Sequence, residues 1–309
     1  MKEQLDPDMA EALALEAARD AGLPPPADID EERARGKAAA VFWNEGLPAV
    51  ASIETHDAAG RVPLHLFKPD RPGPLPVVVY VHGGGWAVDS VVQNEPLIRT
   101  LVTRSGWAVL APTYRLAPEH PFPAGLDDAV AAVRWVQEHG HSHGLDPARI
   151  VLSGTSAGAN LALAAAISGK TEPLAGLLLF YGVFGADFDT TSYRRFADGR
   201  YGLPRERMAH YFDLYDPAGK RTSDPLIQPL LADLDGLPPT WLLAAGLDVL
   251  RDDTLALHQK LIDAGVPVTL RFEPGVVHGF INRGRIVRAA RRSLDAAAAF
   301  LTSLAPDRP

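Results

Sequence analysis

Gly154-Thr155-Ser156-Ala157-Gly158 sets a serine between two glycines. A serine hydroxyl attacks an acyl carbon only when a base takes its proton, so this residue type implies partners elsewhere in the chain. The glycines permit a turn too tight for side chains, which would lift the hydroxyl clear of the backbone. The G-x-S-x-G pattern is weak alone and gains meaning from a strand before it and a helix after it. Residues 149–153 read as that strand and 157–168 as that helix. The alternative is a small-residue turn without chemistry.

His82-Gly83-Gly84-Gly85-Trp86 follows a β-branched run at 77–81. Attack on an ester carbonyl creates an oxyanion, and backbone N–H groups free of side-chain crowding can point at it. Candidate donors are Gly83, Gly84 and Gly85, with Ala157 N–H at the positive start of its helix as a further one. A phosphate-binding loop would need a Lys-Ser/Thr pair after the glycines, and none follows.

The base has to be a histidine downstream. Of ten histidines, His278 stands just past a strand at 268–272, in Pro274-Gly275-Val276-Val277-His278-Gly279-Phe280. Loops at the carboxyl ends of strands are where a doubly wound sheet gathers its site. His139, His141 and His143 have metal-like spacing, but they sit in a polar, glycine-containing loop, and a solvated loop is the preferred reading. The acid that holds the imidazole is assigned to Asp248, immediately after the strand 241–246, because Asp252 and Asp253 lie where acids cap a helix. The order Ser156, Asp248, His278 is the chain order of an α/β-hydrolase triad.

Positioning these groups requires a sheet. Continuous apolar runs at 77–81, 107–111, 150–152, 177–180, 241–244 and 268–272 read as buried strands, separated by helical stretches at 126–139, 157–168, 254–264 and 286–304. That alternation means crossover connections and a mostly parallel central sheet flanked by helices. Residues 50–67 read as a hairpin turning at Asp57-Ala58-Ala59-Gly60. Two helices are expected at 8–21 and 30–44, around a proline-rich break, and two short ones near 192–196 and 205–215. The expected organisation is a helical cap from 1–45 and 184–225 over a catalytic domain from 46–183 and 226–309. Phe184, Phe188, Tyr211 and Phe212 would either line a pocket or pack the cap.

The 309 residues are 47% hydrophobic and 22% charged, an ordinary globular composition. A net charge of −8 argues against nucleic acid. With no cysteine, disulfides and thiolate chemistry are excluded. The start of the chain lacks the pattern of a signal peptide, and no apolar run approaches the roughly 18 residues of a membrane span, so the expected setting is cytoplasmic, away from membranes.

Together with Tyr114-Arg115-Leu116-Ala117-Pro118-Glu119-His120-Pro121-Phe122-Pro123-Ala124 and Asp248-Val249-Leu250-Arg251-Asp252, the motifs above resemble the bacterial hormone-sensitive-lipase family of esterases. The resemblance runs from about residue 50 to the C-terminus. It implies an α/β-hydrolase core with a helical cap, no cofactor, and a small-molecule ester of short to medium acyl chain as substrate. It gives Ser156 as nucleophile, His278 as base and Asp248 as its partner. Thr155 stands where the family usually has an acid, and Ala159 where it usually has glycine. The threonine form resembles a recognised subgroup and leaves open the contacts around the elbow and the mode of any homodimer. In the block 114–124 a loop pair between Arg115 and Glu119 is expected, bracing the sheet. An amidase, arylformamidase or lactonase would use the same residues. A ligand-binding receptor, the remote alternative, is disfavoured by the presence of His278.

Overall fold

The computed structural model describes residues 4–304 apart from 59, 61 and 172. Two helices open it, α1 (Pro7–Asp20) and α2 (Ile29–Trp43), started by the side chains of Asp6 and Asp28, which accept from Asp8 N and Glu31 N. The hairpin β1 (Ser52–Ala58) and β2 (Val62–Lys68) follows. Ala59, in its expected turn, lies outside the described residues. Then strands and helices alternate: β3 (Leu75–Val81), α3 (Glu95–Ser105), β4 (Ala108–Pro112), α4 (Ala124–His139), β5 (Leu145–Thr155), α5 (Ala157–Ile167) and β6 (Gly176–Phe180). The short helices α6 (Thr191–Phe196) and α7 (Arg205–Tyr215) interrupt this pattern before β7 (Thr240–Leu247), α8 (Arg251–Asp263), β8 (Val268–Val277) and α9 (Arg288–Ser303).

Among the described residues the strands form one eight-stranded sheet in the order β1-β2-β4-β3-β5-β6-β7-β8. The β1–β2 and β2–β4 pairs are antiparallel; every pairing from β4 to β8 is parallel. All residues of β3, β4, β6 and β7 are buried, as strands covered on both faces must be. α3 packs on α9 and α4 on α5 to provide that cover. This is the expected α/β-hydrolase architecture.

Several elements differ from the sequence reading, among them β5, which starts at Leu145 rather than 149. α3 is absent from that reading, although Leu97, Ile98, Leu101 and Val102 form its buried stripe and Gly106 closes it in the left-handed region with φ 70°. β8 runs to Val277 rather than ending at 272, so His278 directly follows its strand. No helix among the described residues is long and apolar enough to cross a membrane.

Candidate active site

Five adjacent strands, β3, β5, β6, β7 and β8, run parallel, so their carboxyl ends open on one edge of the sheet. There His82 directly follows β3, Ser156 β5, Tyr181 β6, Asp248 β7 and His278 β8. Residues up to 196 positions apart are thereby gathered without any helix having to reach across.

Ser156 has φ 54° and ψ −122°, a conformation that L-residues rarely hold. Both flanking glycines are required. A Cβ on Gly154 would lie 2.3 Å from Gly158 carbonyl atoms, and one on Gly158 would lie 2.1 Å from Val81 O and 2.3 Å from His82 O. The sharp turn also hands the chain straight into α5, leaving Ala157 N–H at its first turn. Ser156 Oγ lies 2.9 Å from His278 Nε2, and His278 Nδ1 lies 2.7 Å from Asp248 Oδ2. A carboxylate only accepts, so Nδ1–H donates to Asp248 and Nε2 is left to accept from the serine hydroxyl. Asp248 is 1% exposed, and its other oxygen accepts from Leu250 N at 3.0 Å.

The glycine loop lies beside this serine. A Cβ on Gly83 would come within 3.3 Å of Ser156 Cβ; one on Gly84 (φ 91°) would strike Val88 O at 2.2 Å; one on Gly85 (φ 57°) would enter the Tyr211 ring. Beneath it His82 is buried, stacks on Tyr114 with ring centroids 4.3 Å apart, and is held below the ordinary histidine range by burial. Tyr114 OH donates to His82 O and Gly83 O, each at 3.2 Å. Thr155 Oγ1 is buried 3.0 Å from Tyr80 OH, so the position that usually carries an acid is tied into a neutral network.

The block 114–124 braces the loop and lines none of the cavity over Ser156. Its internal pairing differs from expectation: Arg115 does not pair with Glu119. The Arg115 guanidinium binds buried Asp128 on α4 at 2.7 Å, while Glu119 takes both ends of Arg33 on α2 at 2.7 and 2.8 Å. Sequence neighbours lost to partners on helices because the loop runs between α2 and α4. The Arg33 guanidinium holds the Glu119 carboxyl down at about 2.

A cavity of about 840 Å³ opens over Ser156 and His278. Its walls include Gly83, Gly84 and Gly85, Tyr181, and residues of α1, α2 and α7. Of the four aromatics considered from sequence, only Tyr211 lines it, its hydroxyl donating to Glu32 of α2 at 3.0 Å. Phe184 and Phe212 are fully buried, and Phe188 packs on Tyr193 and Phe212. Tyr181, also in the cavity wall, was not among the residues expected from sequence. Tyr181 meets the His278 ring edge-on at 5.0 Å, and its position at the end of an apolar strand next to the serine's strand was the available signal.

Asp252 and Asp253 hold the root of the insertion. Asp252 Oδ2 accepts from Ser192 N at 2.8 Å and its Oδ1 faces Arg251. Asp253 Oδ2 accepts from Phe184 N at 3.0 Å and Gly185 N at 2.8 Å, and burial pushes its carboxyl up to about 7. The histidine loop is broken up: His139 and His141 are exposed, and only His143 turns inward.

Residues 78–282 match the family model described as alpha/beta hydrolase fold. The chain is 39% identical over 247 residues to the carboxylesterase NlhH of Mycobacterium tuberculosis, covering 76% of each. It is 33% identical over 307 residues to an ethyl acetate hydrolase of Pseudomonas putida, covering 94% of this chain and 96% of that protein. A thermostable esterase of Pseudomonas putida, solved by crystallography, superposes with a TM-score of 0.91 at 31% identity over 100% of both chains. With most of its length matched by the family model and by relatives this similar, the chain belongs to the α/β-hydrolase family, on its hormone-sensitive-lipase branch, and is a serine hydrolase of carboxylic esters.

Proposed function

We propose that the reaction runs through Ser156, His278 and Asp248 and that the substrate is a short- to medium-chain acyl ester. The observation that carries the triad is the unbroken line from Ser156 Oγ to His278 Nε2 at 2.9 Å and from His278 Nδ1 to Asp248 Oδ2 at 2.7 Å. Ser156 Oγ attacks the ester carbon as its proton passes to His278 Nε2. The carbonyl oxygen becomes an oxyanion that meets the N–H groups of Gly83, Gly84 and Ala157, while Gly85 makes room for the Tyr211 ring. His278 returns the proton to the departing alkoxide, leaving an acyl-serine. Water, deprotonated by the same imidazole, then releases the acid. Asp248 keeps Nδ1 protonated and stabilises the imidazolium that forms twice per turnover.

The substrate range rests on the cap. We assign that role to residues 1–45 and 184–225, whose helices α1, α2 and α7 contribute cavity walls. A volume of about 840 Å³ lies in the range of small-molecule sites. Arg19, Asp20, Arg35 and Arg207 among its lining suit a small ester better than a lipid surface. The name of the ethyl acetate hydrolase points the same way. A panel of p-nitrophenyl esters of rising acyl length, run beside the matching anilides, tests the reading. Highest kcat/KM is expected between acetate and about octanoate, with anilides far slower; best turnover on emulsified long-chain triglyceride would refute it.

A further inference from the structure

His143 is the one member of the 139–143 histidine loop that turns inward, and it meets residues far away in sequence. Glu54 and His56 sit two apart on β1, so strand alternation puts them on the same face. With Ser52 they are the partly buried positions of β1, while Ile53, Thr55 and Asp57 between and beside them are exposed. The His56 and His143 rings lie 4.3 Å apart, centroid to centroid. Each is 4.9 Å from the indole of Trp135, which walls one side of the pair. Glu54 Oε2 is 3.2 Å from His56 Nε2. One donor atom from each of Glu54, His56 and His143 falls within 4.8 Å of the others.

We propose that Glu54, His56 and His143 form a site for a divalent transition-metal ion of the zinc class, separate from the ester-cleaving site. Two imidazoles and a carboxylate suit zinc and its neighbours, whereas calcium and magnesium favour all-oxygen sets. Donors around tetrahedral zinc lie roughly 3.3 Å apart, so the present spacing closes by rotation of partly buried side chains. Water completes the fourth position. Lys68 Nζ binds Glu54 Oε1 at 2.8 Å and leaves Oε2 facing the imidazoles. It orients the carboxylate as an outer partner does, while its charge lowers the affinity. None of the three ligands lines the cavity over Ser156. β1 is the outermost strand, paired on one side only, so the ion would tether an edge of the sheet to the turn that follows α4.

Calorimetric titration of the whole protein with zinc sulfate, after chelator treatment and desalting, tests the site. One saturable equivalent is expected. Tm should rise by about 5 °C at free zinc about 100 times Kd. His56→Ala and His143→Ala should each abolish the binding heat and the Tm rise, with p-nitrophenyl butyrate turnover unchanged. Glu54→Gln should weaken binding, His141→Ala should leave it intact, and Lys68→Gln should tighten it. Absence of saturable binding, or binding that survives in His56→Ala and His143→Ala and disappears in His141→Ala, overturns the proposal. Glu54→Gln keeps the shape of the cluster, so an unfolded alanine variant would not protect the idea.

Discussion

Three acids within six residues, Asp248, Asp252 and Asp253, have distinct partners, and replacing each by asparagine separates their roles. Asparagine at 248 keeps the shape and an oxygen to accept from Leu250 N, but it can turn an NH2 toward His278 Nδ1. The imidazole then carries its proton on Nε2, facing Ser156 Oγ, and cannot act as a base. In a serine protease the equivalent change costs about 10⁴ in kcat, or about 5.5 kcal/mol of barrier. Asp248 is buried and 2.7 Å from the ring, so a loss of at least about a hundredfold is expected here. At 252, asparagine still accepts from Ser192 N and loses only the charge of a partly buried pairing with Arg251, worth about 1 kcal/mol. Its kcat should stay within a few-fold of wild type. The assay is steady-state hydrolysis of p-nitrophenyl butyrate, with Tm measured on the same preparations. Near-normal kcat in a folded Asp248→Asn, with a collapse in Asp252→Asn, would move the acid to 252 and refute the reasoning from strand position.

Ser156→Ala should lose on the order of 10⁴ or more in kcat at unchanged Tm and should no longer be labelled by a fluorophosphonate; labelling that persisted would remove Ser156 from the mechanism. Gly158→Ala forces a methyl to within 2.1 Å of Val81 O, a backbone atom that cannot swing aside, so Tm and activity should fall together. A Tm within a degree of wild type would show that the elbow relaxes. Asp253 holds its proton more tightly when folded, up to about 7 against an ordinary 3.8, so its ionisation opposes folding as pH rises through that window. Asp253→Asn should therefore gain Tm relative to wild type between about pH 4 and 7 and keep a constant difference above it; a pH-independent difference would count against a raised carboxyl.

Sequence alone determined the alternation of strands and helices, because buried parallel strands leave unbroken apolar runs such as 77–81 and 241–244. It also determined the serine turn, since Gly154 and Gly158 leave no space for another residue. Ser156, Asp248 and His278 were legible because each directly follows a strand, and parallel strands end on one side. Contacts that depend on how elements pack were not legible. α3 was hidden by a proline and polar residues around its apolar stripe. Arg115 and Glu119, four apart, took partners on α4 and α2 because a guanidinium binds whichever carboxylate the fold brings within reach. Of the three histidines at 139–143, His139 and His141 stayed exposed, and His143 was set against Glu54 and His56, more than eighty residues earlier. Spacing along a chain governs which side chains share a strand or a helix face. Which faces then meet is decided by the packing of the whole sheet, and a local pattern carries no information about that.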